Sequence, residues 1–231
     1  MSMPDVLFED RWLVLINKPA GVLSHPNPKD KKDEVCAFDG AYDFDEKCFT
    51  TPDRKLWLIH RLDQDTSGVL LAAKDAKTAD ACRGAFIANA VRKMYVALAA
   101  GGGLAKQGVW LDHLMVNHQR KQVRTEVVRG RAPNAEARYK LLHYSPHTRL
   151  SLIEIELITG KTHQIRVQCA SRHLPIVGDD VYGDFALNRK LRRDLGLRRL
   201  MLHARSLSMK HPVTGQSLVV EAPMPEEFQQ V

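Results

Sequence analysis

The sequence predicts an α+β protein built on a mixed, mostly antiparallel central sheet with flanking helices and loops. Three observations carry this. Apolar runs of strand length recur along the chain, bounded by turn-forming residues. Ile153, Ile155 and Leu157 alternate with Glu154 and Glu156, the two-residue period of a half-buried strand. Helical segments are few and stand among these strands, with no repeat and no linker to separate them, so one domain over 1–231 is expected.

Taken in order, Trp12 to Asn17 (WLVLIN) reads as a strand closed by the turn Lys18-Pro19-Ala20-Gly21. Residues 27–53 break the pattern with a basic patch and then scattered acids, and are expected to be a surface insertion. Leu56 to Ile59 and Val69 to Ala73 are strands flanking HRLDQDTSG, which must itself turn. Ala76 to Ala90 suits a helix, and Met94 to Ala99 a strand ended by Gly101-Gly102-Gly103. Further strands are expected over 123–128, 136–144 and 149–158. Thr162 is the expected N-cap of a helix over 163–170, which would set residues 163, 166 and 170 on one face. A charged helix over 188–195 and strands over 200–209 and 217–221 complete the chain.

Bulk properties narrow the function classes. The 44% hydrophobic and 26% charged composition is that of a soluble globular protein, and no apolar run approaches membrane-spanning length. Lys and Arg outnumber Asp and Glu by 34 to 27, a formal charge of +7 that favours a polyanionic partner. None of Cys36, Cys48, Cys82 and Cys169 forms a C-x-x-C pair, which gives a zinc site little support. With no secretory leader in MSMPDVLFED, free thiols and a cytoplasmic location are expected.

The segment His60-Arg61-Leu62-Asp63-Gln64-Asp65-Thr66-Ser67-Gly68 admits several readings. It can be a plain strand connection shaped by Asp65, Thr66, Ser67 and Gly68. It can be the Asp-x-Asp pair of a metal-dependent phosphatase, although the adjacent His60 and Arg61 oppose cation binding. It can be a glycosidase carboxylate pair, although residues two apart seldom flank a sugar. Gly160-Lys161-Thr162 is not a P-loop, because position 155 is isoleucine where that motif needs glycine. An arginine such as Arg166, held beside a carboxylate, would keep that acid ionised. Tyr95 in mid-strand and the histidines His60 and His163 read first as structural residues.

Together these pieces resemble the RluA-type family of RNA pseudouridine synthases. His60-Arg61-Leu62-Asp63, two free positions, then Thr66-Ser67-Gly68 is similar to the segment around that family's catalytic aspartate. Asn17-Lys18-Pro19-Ala20-Gly21 with His25-Pro26 resembles its NKPxG…HP element, and Lys93-x-Tyr95-x-Ala97 its K-x-Y-x-A strand. Residues 159–166 (TGKTHQIR) are similar to its TGRxHQIR segment, Gly178-Asp179 with Tyr182-Gly183 to GDxxYG, and Leu202-His203-Ala204 with His211-Pro212 to LHA…HP. The blocks keep family order from about residue 6 to 223. Lys161 departs from the usual arginine, Gln168 from histidine and Arg172 from glycine; these departures are expected to bear on which RNA is bound.

The resemblance implies the pseudouridine synthase fold and isomerisation of uridine in structured RNA, a tRNA or rRNA stem-loop, after the base has been flipped out. It makes Asp63, Tyr95 and Arg166 catalytic: Asp63 the essential acid, Arg166 the cation that orients it, and Tyr95 the wall of the uracil site. It places His60, Arg61, Thr66, Lys161, His163 and Leu202 in substrate binding. By charge alone, the basic residues 93, 120, 121, 124, 189, 190, 192 and 193 are candidates to track phosphates, although runs such as 189–193 are commonly solvated helix faces. No metal, redox cofactor or nucleotide is implied, and a monomer is expected. Two other readings stand beside it: a non-catalytic RNA-binding or chaperone protein on the same fold, and the metal-dependent phosphatase.

Overall fold

The computed structural model describes residues 5–27, 35–117 and 123–229. They gather into two compact units, one formed by 1–92 with 204–223 and the other by 93–203 with 224–231.

In the first unit, β1 (Asp5–Glu9) and β2 (Leu13–Lys18) pair antiparallel. The turn between them is set by Asp10, whose carboxylate accepts from the amides of Trp12 and Leu13 at 2.8 and 2.7 Å. Strands β3 (Ala41–Asp43), β4 (Cys48–Thr50) and β5 (Lys55–Leu58) form an antiparallel meander that leads to β6 (Ser67–Ala73). β2 lies along β6 in the register Leu15↔Leu71 and Asn17↔Val69. All seven residues of β6 are buried, which is why it reads as an unbroken apolar run. Helix α1 (Ala76–Ile87) is capped by Asp75, which accepts from the Thr78 amide at 2.8 Å. Its Ala79 and Cys82 pack on Leu13, Leu15, Val69, Leu71 and Ala73.

The 27–53 stretch holds more structure than its composition suggests. Its residues 28–34 lie outside the described residues, but 35–53 carry the β3–β4 hairpin and bury Ala37, Phe38, Cys48 and Phe49. Strands of three residues are too short to show a period in sequence.

In the second unit, β7 (Arg92–Ala100), β8 (Gln107–Asp112), β11 (Ala135–Ser145) and β12 (Leu150–Leu157) run in the antiparallel order β7-β12-β11-β8. A separate hairpin joins β9 (Leu114–Asn117) to β10 (Arg124–Val127). Ile153 and Ile155 are fully buried while Glu154 and Glu156 are half-exposed, as the alternation predicts. Helices α2 (Gln164–Ala170) and α3 (Phe185–Asp194) follow. β13 (Leu202–Lys210) spans the boundary at 203/204, and β14 (Ser217–Glu221) pairs with it antiparallel in the first unit. The α+β class, with mostly antiparallel strands and flanking helices, is the one the sequence predicts. Among the described residues no helix is long and apolar enough to cross a membrane.

One local expectation is corrected. The cap of α2 is His163, in the left-handed region at φ 54° with no side-chain cap bond, and Thr162 lies outside the helix. Long-range bonds override the capping propensity of threonine: the Thr162 carbonyl accepts from the Thr125 hydroxyl at 2.8 Å.

Candidate active site

Asp63 sits on the loop between β5 and β6, and that loop is held from below by the segment after β2. The Ser24 hydroxyl accepts from the Leu62 amide at 2.9 Å and donates to the Leu62 carbonyl at 2.8 Å, so both backbone groups before Asp63 are fixed. After Asp63, the Gln64 carbonyl accepts from the Gly21 amide at 3.0 Å and from the Lys18 ammonium at 2.9 Å. Lys18 is fully buried, and its ammonium also donates to the carbonyls of Pro19 (2.9 Å) and Val22 (2.6 Å). A buried charge is tolerable only with such partners, and here it ties two loops together. The turn closes with the Thr66 amide on the Asp63 carbonyl at 3.1 Å.

The rest of the loop is anchored through its ends. His60 accepts from the Leu71 amide at 3.1 Å through Nε2 and stacks on Phe86 of α1, with centroids 5.1 Å apart. Gly68, at φ +114°, lies so close to β13 that a Cβ would stand 2.2 Å from the Ala204 carbonyl oxygen. This explains the glycine of TSG. Leu62 and Thr66 are buried, Asp63 is half-exposed, and Gln64 and Asp65 are exposed, so Asp63 stands between the buried anchor at Leu62 and the open tip of the loop. Asp65 is exposed and makes no hydrogen bond or ion pair among the described residues. The turn is therefore made by the backbone of Asp63 and Thr66 and not by the Asp65 side chain.

Arg61 is exposed and donates from Nη1 to His25 Nε2 at 3.2 Å. His25 Nδ1 donates to the Pro26 carbonyl at 2.8 Å, which leaves Nε2 as the acceptor. Burial holds the imidazole below its ordinary pKa, and the Arg61 charge adds to this against the pull of Pro26. The ring stacks on Tyr42 of the β3–β4 hairpin, 5.1 Å between centroids and 12° between planes.

In the second unit, Tyr95 is buried on β7 opposite Ile155, on the same strand face as Lys93 and Ala97. Burial pushes the Lys93 ammonium below its ordinary pKa. Arg166 on α2 is buried and grips Asp179 with both arms, Nε to Oδ2 at 2.8 Å and Nη2 to Oδ1 at 2.9 Å. Burial alone would push the Asp179 carboxyl up. The Arg166 fork, with the amides of Tyr182 and Val181, outweighs it and holds the group below the ordinary carboxylate range. The two glycines of GDDVYG are explained by close approach: a Cβ would lie 1.9 Å from the Arg199 carbonyl oxygen at Gly178, and 2.1 Å from that of Asp179 at Gly183.

Tyr182 gathers the remaining residues of this unit. Its hydroxyl accepts from the Thr125 amide at 2.7 Å and meets His163 Nδ1 at 3.0 Å, and the Arg166 guanidinium stands 5.3 Å from its ring centroid. Gln164 braces the loop before α2, accepting from the Thr159 hydroxyl and the Lys161 amide and donating to the Glu136 carbonyl. Lys161 itself is exposed, and Leu202 is buried. Arg120 and Lys121 lie outside the described residues.

Two departures from the family pattern turn out to be structural. Gln168 is fully buried and donates to Asp112 Oδ2 at 2.7 Å, and Arg172 pairs with the same carboxylate at 2.9 Å while covering Trp110 at 5.2 Å. Gln168 has no exposed surface, so its first role is to hold Asp112. Sequence reasoning assigned no role to Lys18, Ser24, Asp112, Asp179 or Tyr182. Three of them stood inside quoted motif blocks without a role, and Ser24 lay between the NKPxG and HP elements. Asp112 left no signal, because its partners are 56 and 60 residues away.

Comparison with known proteins bears on the family and the fold. A family model described as RNA pseudouridylate synthase matches residues 12–171. The tRNA pseudouridine synthase C of Salmonella typhi is 35% identical, over 99% of this chain and 88% of its own length. The ribosomal large subunit pseudouridine synthase C of Haemophilus ducreyi is 33% identical, over 95% of this chain and 65% of its own. Among solved structures, Human RNA Pseudouridylate Synthase Domain Containing 4 superposes with a TM-score of 0.69 at 25% identity, over 97% of this chain and 90% of that one. The fold and the matched motifs define an enzyme that isomerises uridine to pseudouridine in RNA. The chain belongs to the RluA-like family of RNA pseudouridine synthases.

Proposed function

We propose that Asp63 is the essential carboxylate of this isomerase and that its substrate is a structured tRNA stem-loop. The observation that carries the assignment is the clamped loop, with Ser24 on Leu62 and Lys18 on Gln64 fixing the backbone on either side of one half-exposed acid. Attack on the sugar, attack on the ring and removal of the 2′ proton all require an ionised carboxylate held still against a flipped nucleotide. Arg166, oriented by its fork on Asp179, is the cation we assign to the same catalytic set. Tyr95 bounds the uracil, and Arg61 contacts the displaced nucleotide or the gap it leaves. The choice of tRNA over rRNA follows the relatives, because the tRNA enzyme aligns over more of its own length than the ribosomal one.

The test is to map pseudouridines in tRNA and rRNA from cells lacking the protein and from the same cells carrying wild type or Asp63→Asn. A tRNA uridine left unmodified without the protein, and restored by wild type alone, is the expected outcome. Full restoration by Asp63→Asn removes the catalytic assignment, and changes confined to rRNA remove the choice of tRNA.

A further inference from the structure

Helix α3 carries charge that the catalytic reading does not use. Arg189, Arg192 and Arg193 lie at i, i+3 and i+4, so they share one face, and all three are exposed. The adjoining face holds the buried Asn188 and Leu191. Beyond the helix, Gly196 at φ +68° and the buried Leu197 turn the chain back and bring Arg198 to the same place. The four arginines line one open concavity of about 480 Å³. Arg193 pairs with Asp194 at 2.8 Å, whereas Arg189, Arg192 and Arg198 have no ion pair among the described residues. Basic side chains in a last turn complement the helix dipole, which accounts for Arg192 and Arg193. It does not account for Arg189 in mid-helix or for Arg198 outside the helix.

Two further features point to a nucleic-acid strand. Phe185 heads the same face, four residues before Arg189, and is 53% exposed. A bare aromatic ring beside a row of cations is the combination that stacks an unpaired base while its phosphates are held. The buried face is bolted to the Arg166 site: Asn188 accepts from the Gly178 amide at 2.9 Å and donates to the Asp179 carbonyl at 3.1 Å, and Asp179 is the partner of Arg166. A strand gripped on α3 is thus registered against Arg166 through one rigid link.

We propose that the α3 face formed by Phe185, Arg189, Arg192 and Arg193, with Arg198, is a docking site for the phosphodiester backbone of the RNA substrate. The proposal rests on the RNA-modifying reading above. Its test is the salt dependence of binding to fluorescein-labelled bulk tRNA from cells lacking the protein. Wild type is compared with R189Q/R192Q/R193Q/R198Q and with the all-lysine version, and thermal melting checks that each is folded.

Replacing four cations by glutamine lowers the slope of log K against log salt by about 3, and weakens binding at least about ten-fold at 0.1 M salt. The lysine version keeps most of the slope, because a phosphate contact needs the charge first. Phe185→Ala weakens binding with the slope unchanged. If the glutamine double variant R189Q/R198Q, which spares the last turn, is folded and shows the wild-type slope, the proposal is overturned. Loss of binding to polyglutamate with the RNA slope intact would assign the face to an acidic protein and overturns it equally. Absence of pseudouridine formation by wild type on any RNA would instead remove the reading beneath it, which separates the two failures.

Discussion

Lys18→Met is the substitution that tests the loop architecture most directly. Methionine keeps the length and most of the volume of the side chain but deletes the ammonium that reaches the carbonyls of Pro19, Val22 and Gln64. Three hydrogen bonds from a charged donor contribute roughly 1.5–3 kcal/mol each, on the order of 5–9 kcal/mol before compensation. Two effects reduce the loss: the Gln64 carbonyl keeps the Gly21 amide, and the variant no longer holds a fully buried charge. The net cost expected for breaking such a buried charged site is about 3–5 kcal/mol. At roughly 2–4 °C per kcal/mol for a chain of this size, the melting temperature falls by about 6–20 °C.

Two measurements read the effect. Urea unfolding followed by tryptophan fluorescence gives the stability, and hydrogen exchange at the Leu62 and Thr66 amides reports opening of the loop itself. Both amides exchange faster in the variant, and pseudouridine formation drops by at least about ten-fold at a temperature where the variant is still folded, as expected when an attacking group is misplaced. A variant within about 1 kcal/mol of wild type, with unchanged exchange at both amides, would refute the claim that Lys18 positions Asp63.

Three more outcomes follow from the same structure. Gly68→Ala puts a Cβ 2.2 Å from the Ala204 carbonyl oxygen at φ +114°, so a destabilisation of about 3 kcal/mol or more is expected by denaturant titration, and a near-neutral result contradicts the close approach. Asp112→Ala removes the carboxylate shared by Gln168 and Arg172, leaving Gln168 the longer bond to the Trp110 carbonyl and Arg172 its bonds to Gln168 and Ser171, at a cost of about 2–3 kcal/mol, and Arg172→Gly in that background then adds less than it does in wild type, a coupling read by a double-mutant cycle. The folded Asp179 carboxyl lies below its unfolded value of about 3.9, so its contribution is complete above that pH and is lost as pH falls through the lower folded value. Asp179→Asn is less stable at neutral pH and shows a shallower acid limb than wild type; parallel acid limbs would count against the Arg166 fork.

The chain declares much of its fold because most elements satisfy a local rule. The Ile153, Ile155 and Leu157 alternation is a strand wherever it is placed, and the VLLAA run of β6 is apolar because both of its faces are covered. Where no local period exists, the reading is weaker: the three-residue strands β3 and β4 are hidden among charges, and β1, β8 and β9 were not foreseen. The α2 cap shows the limit from the other side, since threonine is a good N-cap and yet His163 takes the position once Thr125 engages the Thr162 carbonyl.

For the site, the sequence by itself determined the motif residues and the family, because HRLD-x-x-TSG, NKPAG and HQIR are ordered strings that survive without coordinates. Only the tertiary structure decided what most of those strings are for. The lysine of NKPAG is a buried clamp on the aspartate loop, Asp179 of the GD block is the partner of Arg166, and Gln168 with Arg172 answers to Asp112. The physical reason is the same in each case. A buried polar group is defined by the partner that satisfies it, and the partners that tie one element to another here (Asp179 for Arg166, Gln64 for Lys18, Asp112 for Gln168 and Arg172) lie from 13 to 60 residues away in sequence, where no local pattern can record them.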